Sequence, residues 1–115
     1  MKRLSFVLVV CGLLFAAGVS AQKDQTYSGE IMDSQCAFLG GHQNMIKQGE
    51  SSKDCTERCV KIGGKYALFD AGTKTAYQLD DQKKAAGFAG EKVKVTGTLN
   101  SSTKTIHVTD IKAGS

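Results

Sequence analysis

The stretches EKVKVTGTLN, residues 91–100, and TIHVTDIK, residues 105–112, decide the fold. Apolar and polar residues alternate in both of them, and a period of two is typical of strands with one buried face. The polar residues 101–104 lie between them and predict a turn, so we expect an antiparallel hairpin. Gly97 interrupts the alternation of the first strand. The positions expected to point inward are Val93, Val95, Ile106 and Val108.

Upstream of this hairpin, similar patterns predict three more strands and two helices. The strands are expected at residues 25–33, 65–70 and 75–79, and the helices at residues 55–62 and 80–88. Five strands with a helix between the third and the fourth are the arrangement of an OB-type barrel. We therefore expect a mainly β protein, a small five-stranded OB-like barrel. It has a short cysteine-bearing helix after strand 1 and a short helix between strands 3 and 4.

The connection between the first two strands is long and carries most of the unusual residues. It begins with an irregular segment, residues 34–52, in which residues 42–47 favour a helical turn. A connection of this length in a small domain is more often functional or cross-linked than idle. The helix that follows has Asp54 as its expected N-cap and stops at a Gly-Gly pair. Ile62 continues the face of the two helical cysteines, which predicts that this face looks inward.

The N-terminal residues 1–21 have the pattern of a signal peptide. Lys2 and Arg3 precede an apolar run, and Val19-Ser20-Ala21 is a small-residue cleavage site. After cleavage we expect residues 22–115 to form a single OB-like domain with no membrane span. The expected location is periplasmic or secreted.

The charge of the mature chain excludes one class of partner and suggests no other. Without Lys2 and Arg3, 13 basic residues stand against 11 acidic ones. The lysines are spread singly, whereas nucleic-acid binding needs a clustered basic face, so we expect no nucleic-acid partner. No nucleophile-elbow or histidine–carboxylate pattern is recognisable either, so we expect a protein that is not an enzyme. Its partner is left open as an unknown small ligand, a metal ion or an envelope protein.

Three cysteines are left once the leader, with Cys11, is removed. An odd number in an oxidising compartment implies a disulfide with a spare thiol, an intermolecular bridge or a site that keeps thiolates. Cys55 and Cys59 are spaced i, i+4, which puts their Cβ atoms roughly 5–6 Å apart on a helix. A disulfide needs about 3.5–4.5 Å, so the expected bridge joins Cys36 to Cys55 or to Cys59.

A metal site is the alternative for the same cysteines. Thiolate, thioether and imidazole together form the ligand set that favours copper, whereas three cysteines with one histidine also suit zinc. Cys55 lies at the expected helix N-terminus, where the helix dipole lowers the pKa of a thiol. Copper and zinc both stay open as the bound ion. The candidate metal ligands are Cys36, His42, Met45, Cys55 and Cys59.

Three other residues are assigned structural positions. His107 alternates out of phase with its apolar neighbours and is expected on the solvent face of the last strand. Met32 is expected in the core, and Asp33 is expected to form the turn after the first strand.

Several segments together resemble a group of small exported bacterial proteins of unknown function, with an OB-like fold and a Cys…HxxM…CxxxC constellation. These segments are GEIMDSQCA at residues 29–37, CTERCVKIGGKYALFD at residues 55–70 and the C-terminal hairpin. His42 with Met45 supplies the HxxM element. The resemblance implies a fold and an export route, and it implies no activity.

Three functional hypotheses follow from these patterns. The first is a non-catalytic envelope binding module whose first connection is stapled by a disulfide. The second is a periplasmic protein that binds or traffics copper or zinc. The third, ranked last, is a thiol–disulfide redox protein, because the C-x-x-x-C pair opens no thioredoxin-like unit.

Overall fold

A computed structural model describes residues 23–114. The predicted leader, residues 1–21, lies outside the described residues, so the signal peptide and its cleavage stay predictions. Within residues 23–114, none of the helices combines the length and the apolar character needed to cross a bilayer.

Five strands and three helices make up the described chain. The strands are β1 (Gln25–Asp33), β2 (Tyr66–Asp70), β3 (Thr75–Leu79), β4 (Lys92–Asn100) and β5 (Thr105–Ala113). The helices are α1 (Ser34–Phe38), α2 (Ser52–Lys61) and α3 (Gln82–Ala86), and a single 3-10 turn covers His42–Asn44. The expected mainly β composition is confirmed.

The strands form one sheet that closes on itself as a ring in the order β1-β2-β3-β5-β4. Strand β1 pairs with β4 through its first half and with β2 through its second half, antiparallel to both. A short parallel pairing of β3 with β5, at Gln78 opposite Thr105, completes the ring. The ring is closed there by two residue pairs, whereas β5 pairs with β4 along nearly its whole length.

The interior of the ring, called here the ring core, is aliphatic. The expected inward positions Val93, Val95 and Ile106 are fully buried, and Val108 is nearly so. The register of β4 against β5 shifts between Thr96 and Gly97, where a Cβ would collide with the carbonyl oxygen of His107. The extra residue of this bulge is Thr109 on β5, and Gly97 on the facing strand allows the close approach of the two backbones. Other ring-core residues are Ile31, Leu68, Leu79, Ala85 and Ile111.

A second apolar cluster, called here the outer cluster, lies between the outer face of the sheet and the long connection. It consists of Met32, Cys36, Ala37, Ala67 and Phe69, with the half-buried Met45 and Ala76 against it. Because side chains alternate along β1, Ile31 points into the ring core and Met32 into the outer cluster. The connection thus builds its own small core on the sheet, and Met32 is buried as expected.

The helices differ from the predictions in three ways. Helix α1 was not predicted, because five residues are too few to show a helical period. Helix α2 begins at Ser52, three residues before the predicted start, and Ser51 caps it in place of Asp54, whose own amide donates to Ser51 Oγ at 3.1 Å. Helix α3 is shorter than expected and is capped by Asp81.

The prediction for Ile62 is wrong. Its side chain is 75% exposed. Helix α2 ends at Lys61 and the backbone then leaves the helical path, so Ile62 does not share the inward face of Cys55 and Cys59.

Candidate metal centre

Three separate pieces of the long connection bring sulfur and nitrogen atoms together at the outer cluster. Cys36 lies on α1, His42 begins the 3-10 turn, and Cys55 and Cys59 lie on the inner face of α2. All three thiols are buried, with exposures of 0% for Cys36, 0% for Cys55 and 2% for Cys59. The structure thus places four of the five candidate ligands in this region, and their role as ligands stays a prediction.

The potential ligand atoms form two groups that share one cysteine. In the first group, ligand atoms of Cys36, His42 and Cys55 all lie within 4.8 Å of one another. In the second, those of Asp33, Cys36 and Cys59 do so. Cys36 is therefore the central residue of the arrangement, with a histidine and a thiol on one side and a carboxylate and a thiol on the other.

Asp33 is the residue that positions Cys36. Its side chain caps α1 by accepting the amide of Gln35 at 3.0 Å and the amide of Cys36 at 3.3 Å. The sequence predicted only a turn residue at this position, whereas Asp33 is fully buried and caps a helix. An aspartate directly before a Ser-Gln-Cys segment was the signal that could have located both the helix and this site residue.

His42 is held from one side and unpaired on the other. Its Nε2 lies 3.1 Å from Oε2 of Glu30, a carboxylate on β1. Because a carboxylate can only accept, a neutral ring in this arrangement carries its proton on Nε2 and a lone pair on Nδ1. Among the described residues Nδ1 is buried and finds no hydrogen-bond partner. A histidine oriented by a carboxylate, with its other nitrogen free, is the usual arrangement of a metal ligand.

Arg58 holds the segment before α2 in place and lies next to Cys55. The Arg58 guanidinium donates to both carboxylate oxygens of Glu50, at 2.9 and 3.0 Å, and to the carbonyl of Met45 at 2.9 Å. Its Nη2 also lies 3.9 Å from Sγ of Cys55. This bidentate pair fixes the position of the connection relative to α2. The Met45 side chain itself packs against the outer cluster, and its role as a ligand stays a prediction.

Burial makes the thiols of Cys36 and Cys55 reluctant to ionise. It raises the pKa of the Cys36 thiol well above its usual value, and a hydrogen bond with Asp33 acts in the same direction. Burial also raises the pKa of Cys55, as do the neighbouring Cys59 and Glu50. The prediction that the helix dipole lowers the pKa of Cys55 is wrong, because Cys55 lies one turn inside α2 and away from water. Protonated, buried thiols are poor nucleophiles, and a metal ion must displace their protons to bind.

The predicted disulfide between Cys36 and Cys55 or Cys59 is not formed in this structure, in which all three are free thiols. His107 is on the solvent face of β5, as expected, and its Nδ1 pairs with Oδ2 of Asp80. The second histidine of the chain thus lies outside the cluster.

Comparisons of the chain with models of protein families, with curated proteins and with solved structures find no match.

Proposed function

We propose that this protein binds a soft metal ion, Cu(I) or Zn(II), at a centre built on Cys36, His42 and Cys55. The observation that carries the proposal is the buried, unpartnered Nδ1 of His42 beside two thiols whose ligand atoms lie within 4.8 Å of the ring. Leaving a buried nitrogen without a partner costs free energy, and coordination would recover it. Glu30 supplies the orienting contact that metal-bound histidines use.

The ligand types favour a thiophilic ion over calcium or magnesium, which prefer oxygen ligands. Two thiolates and one imidazole suit Cu(I), for which two or three soft ligands suffice. Zn(II) in a structural site takes four ligands, and a shift of Cys59 from its group with Asp33 would complete a Cys3His set. The two ions therefore make different demands on Cys59.

We also propose a more specific fold for the protein and its location. The strand order with a helix between β3 and β4 supports an OB-like barrel. The leader-like residues 1–21 support export to the periplasm or beyond. The site has no activated nucleophile, and raised thiol pKa values disfavour the thiol–disulfide role, so the protein acts by binding rather than by catalysis.

Metal titration of the purified, reduced protein tests this function. Competition against a coloured chelator of Cu(I), and separately of Zn(II), should give one ion per chain. Cys36→Ser should weaken binding most, because Cys36 belongs to both groups. His42→Ala should weaken binding more than about tenfold. A residue that orients a metal ligand, as Glu30 orients His42, typically contributes about 10–100-fold to metal affinity, and the ligand itself should contribute at least as much. The matched control is His107→Ala, which changes an exposed histidine outside the cluster.

Cys59→Ser separates the two ions. It should lower the affinity for Zn(II) strongly and leave the affinity for Cu(I) nearly unchanged if copper uses only the first group. Equal effects of His42→Ala and His107→Ala would contradict the centre itself.

A cysteine-stapled binding module is the second candidate, and one observation favours it. Cys36 lies within reach of both Cys55 and Cys59, so an oxidant could close a bridge with a small shift. Such a bridge would tie α1 to α2 and contribute about 3 kcal/mol by restricting the unfolded chain. It would consume the central ligand, so the staple and the metal centre exclude each other.

A further inference from the structure

A mainly apolar groove on the described surface ends at the candidate metal centre. It runs along the outer side of β1 and the end of β2, with a volume of about 520 Å³. Its floor contains Met32 and Phe69 of the outer cluster, and one wall is the segment from Gly40 to Gln43. A single water needs a space of about 10–15 Å³, so the groove can hold a hydrated ion or a small metal chelate.

Only one residue of the first ligand group lines this groove, and it is His42. Its side chain is 11% exposed, whereas Cys36 and Cys55 are fully buried. The Nε2 edge faces Glu30, which also lines the groove, while the Nδ1 edge is buried. The imidazole therefore stands between the groove and the thiols.

Arg58, which does not line the groove, lies against Cys55. The Arg58 guanidinium covers the sulfur at 3.9 Å and is fastened there by Glu50. The guanidinium and the Glu50 carboxylate form an ion pair, which leaves no net negative charge there to attract a metal ion. The groove carries the carboxylates of Glu30 and Asp70 against the single amine of Lys92, which makes it the attractive side.

The wall of the groove has an unusual backbone conformation just before His42. Gly40 and Gly41 precede it with φ values of 94° and 130°, and nothing lies within 4 Å of a Cβ added at Gly40. Backbone of this kind allows rotations that a bulkier residue would resist. A turn of the imidazole away from Glu30 would open the buried thiols to the groove without unfolding α1 or α2.

From these placements we infer that the groove is the access route of the metal centre, with His42 as its gate. The ion arrives in the groove as a complex with a small ligand, passes to the imidazole and then to Cys36 and Cys55. This inference rests on the proposed function, because a route is meaningful only if an ion binds.

Filling the groove tests the route. Ser28 and Ala71 are exposed residues that line it, so Ser28→Trp and Ala71→Trp each place a large ring in the passage. The matched control is Gln78→Trp, an exposed strand position that lines other parts of the surface. Rates of Cu(I) or Zn(II) uptake from a coloured chelate, and of removal by excess chelator, are followed by stopped-flow absorbance on the full chain.

Both groove variants should slow uptake and removal by the same factor, because a blocked path raises the barrier in both directions and leaves the dissociation constant unchanged. The expected factor is about ten, equivalent to about 1.4 kcal/mol in barrier height. The control variant should keep the parent rates.

Three other results would overturn the inference in distinguishable ways. Unchanged rates in both groove variants, with one ion still bound, would reject the route and leave the metal centre standing. A changed dissociation constant with an unchanged removal rate would mean that the rings disturb the centre and not the path. A parent protein that binds neither ion would reject the centre and its route together.

Discussion

The ring core and the outer cluster are made from the same strands but by different rules. The buried residues of the ring core are aliphatic and lie mostly at alternate positions of the strands. The outer cluster takes two methionines, a cysteine, a phenylalanine and three alanines, and Asp33, whose carboxylate is buried, lies between Met32 and α1 in the chain. The first arrangement is what stability requires, whereas the second buries the unpartnered Nδ1 of His42, which lowers stability unless that nitrogen binds something.

The largest effect expected from this comparison is in the ring core. Val95→Asp or Ile106→Asp buries an unpaired charge and should lower the free energy of unfolding by at least about 4 kcal/mol, which is enough to unfold a small domain. Circular dichroism during urea denaturation measures this. Lys94→Asp, an exposed change on the same strand, is the control and should leave the protein folded. A folded Val95→Asp variant would show that the two regions do not differ in this way.

A smaller effect is expected at the junction of the two regions. Asp33→Ala removes the cap of α1 and leaves the amides of Gln35 and Cys36 without their acceptor. We expect a loss of about 1–3 kcal/mol in the free energy of unfolding. Asp81→Ala removes the comparable cap of α3 in a more exposed place, where about 0.5–1 kcal/mol is expected. Equal losses would mean that burial of the Asp33 cap adds nothing.

The smallest effect concerns the ion pair of Arg58 with Glu50, next to Cys55, and it depends on pH. Hydrogen bonds from Arg58 lower the pKa of Glu50 from its ordinary 4.5 to about 2. A lowered carboxyl pKa means that the stabilisation is complete above pH 4.5 and disappears as the pH falls towards 2. The difference in unfolding free energy between the parent and Glu50→Gln should therefore shrink across that window. When both proteins also carry Arg58→Gln, Glu50→Gln should change the unfolding free energy little at any pH. A difference that persists without Arg58 would contradict the pairing.

The ring core and the outer cluster also differ in how much of their structure the sequence predicts. The alternation of Val93, Val95 and Ile106 specified both the strands and their buried face, because a period of two has one physical cause. All five strands were predicted within one residue at each end. The closed order of the strands was also consistent with the predicted order of elements.

The outer cluster was harder to predict because it has no period. Helix α1 is too short to show one, and Ile62 was misplaced by assuming that α2 continued past its true end. The sequence identified Cys36, His42, Cys55 and Cys59 by their chemistry. It did not indicate that Glu30 would orient the histidine, because that contact spans 12 residues and joins β1 to the connection. Arg58 and Cys55 are three residues apart on α2, and this spacing was the signal that could have located their contact.

The state of the three thiols in the isolated protein tests the metal centre most directly. The protein is purified without added chelator or reductant, and its metal content and free thiols are measured, the thiols with and without denaturant. We expect one copper or zinc ion per chain and three reduced thiols at Cys36, Cys55 and Cys59. The thiols should be shielded in the native protein and reactive together once a chelator has stripped the ion and the chain is unfolded. One free thiol of the three and no stoichiometric metal would contradict the centre and establish the disulfide in its place.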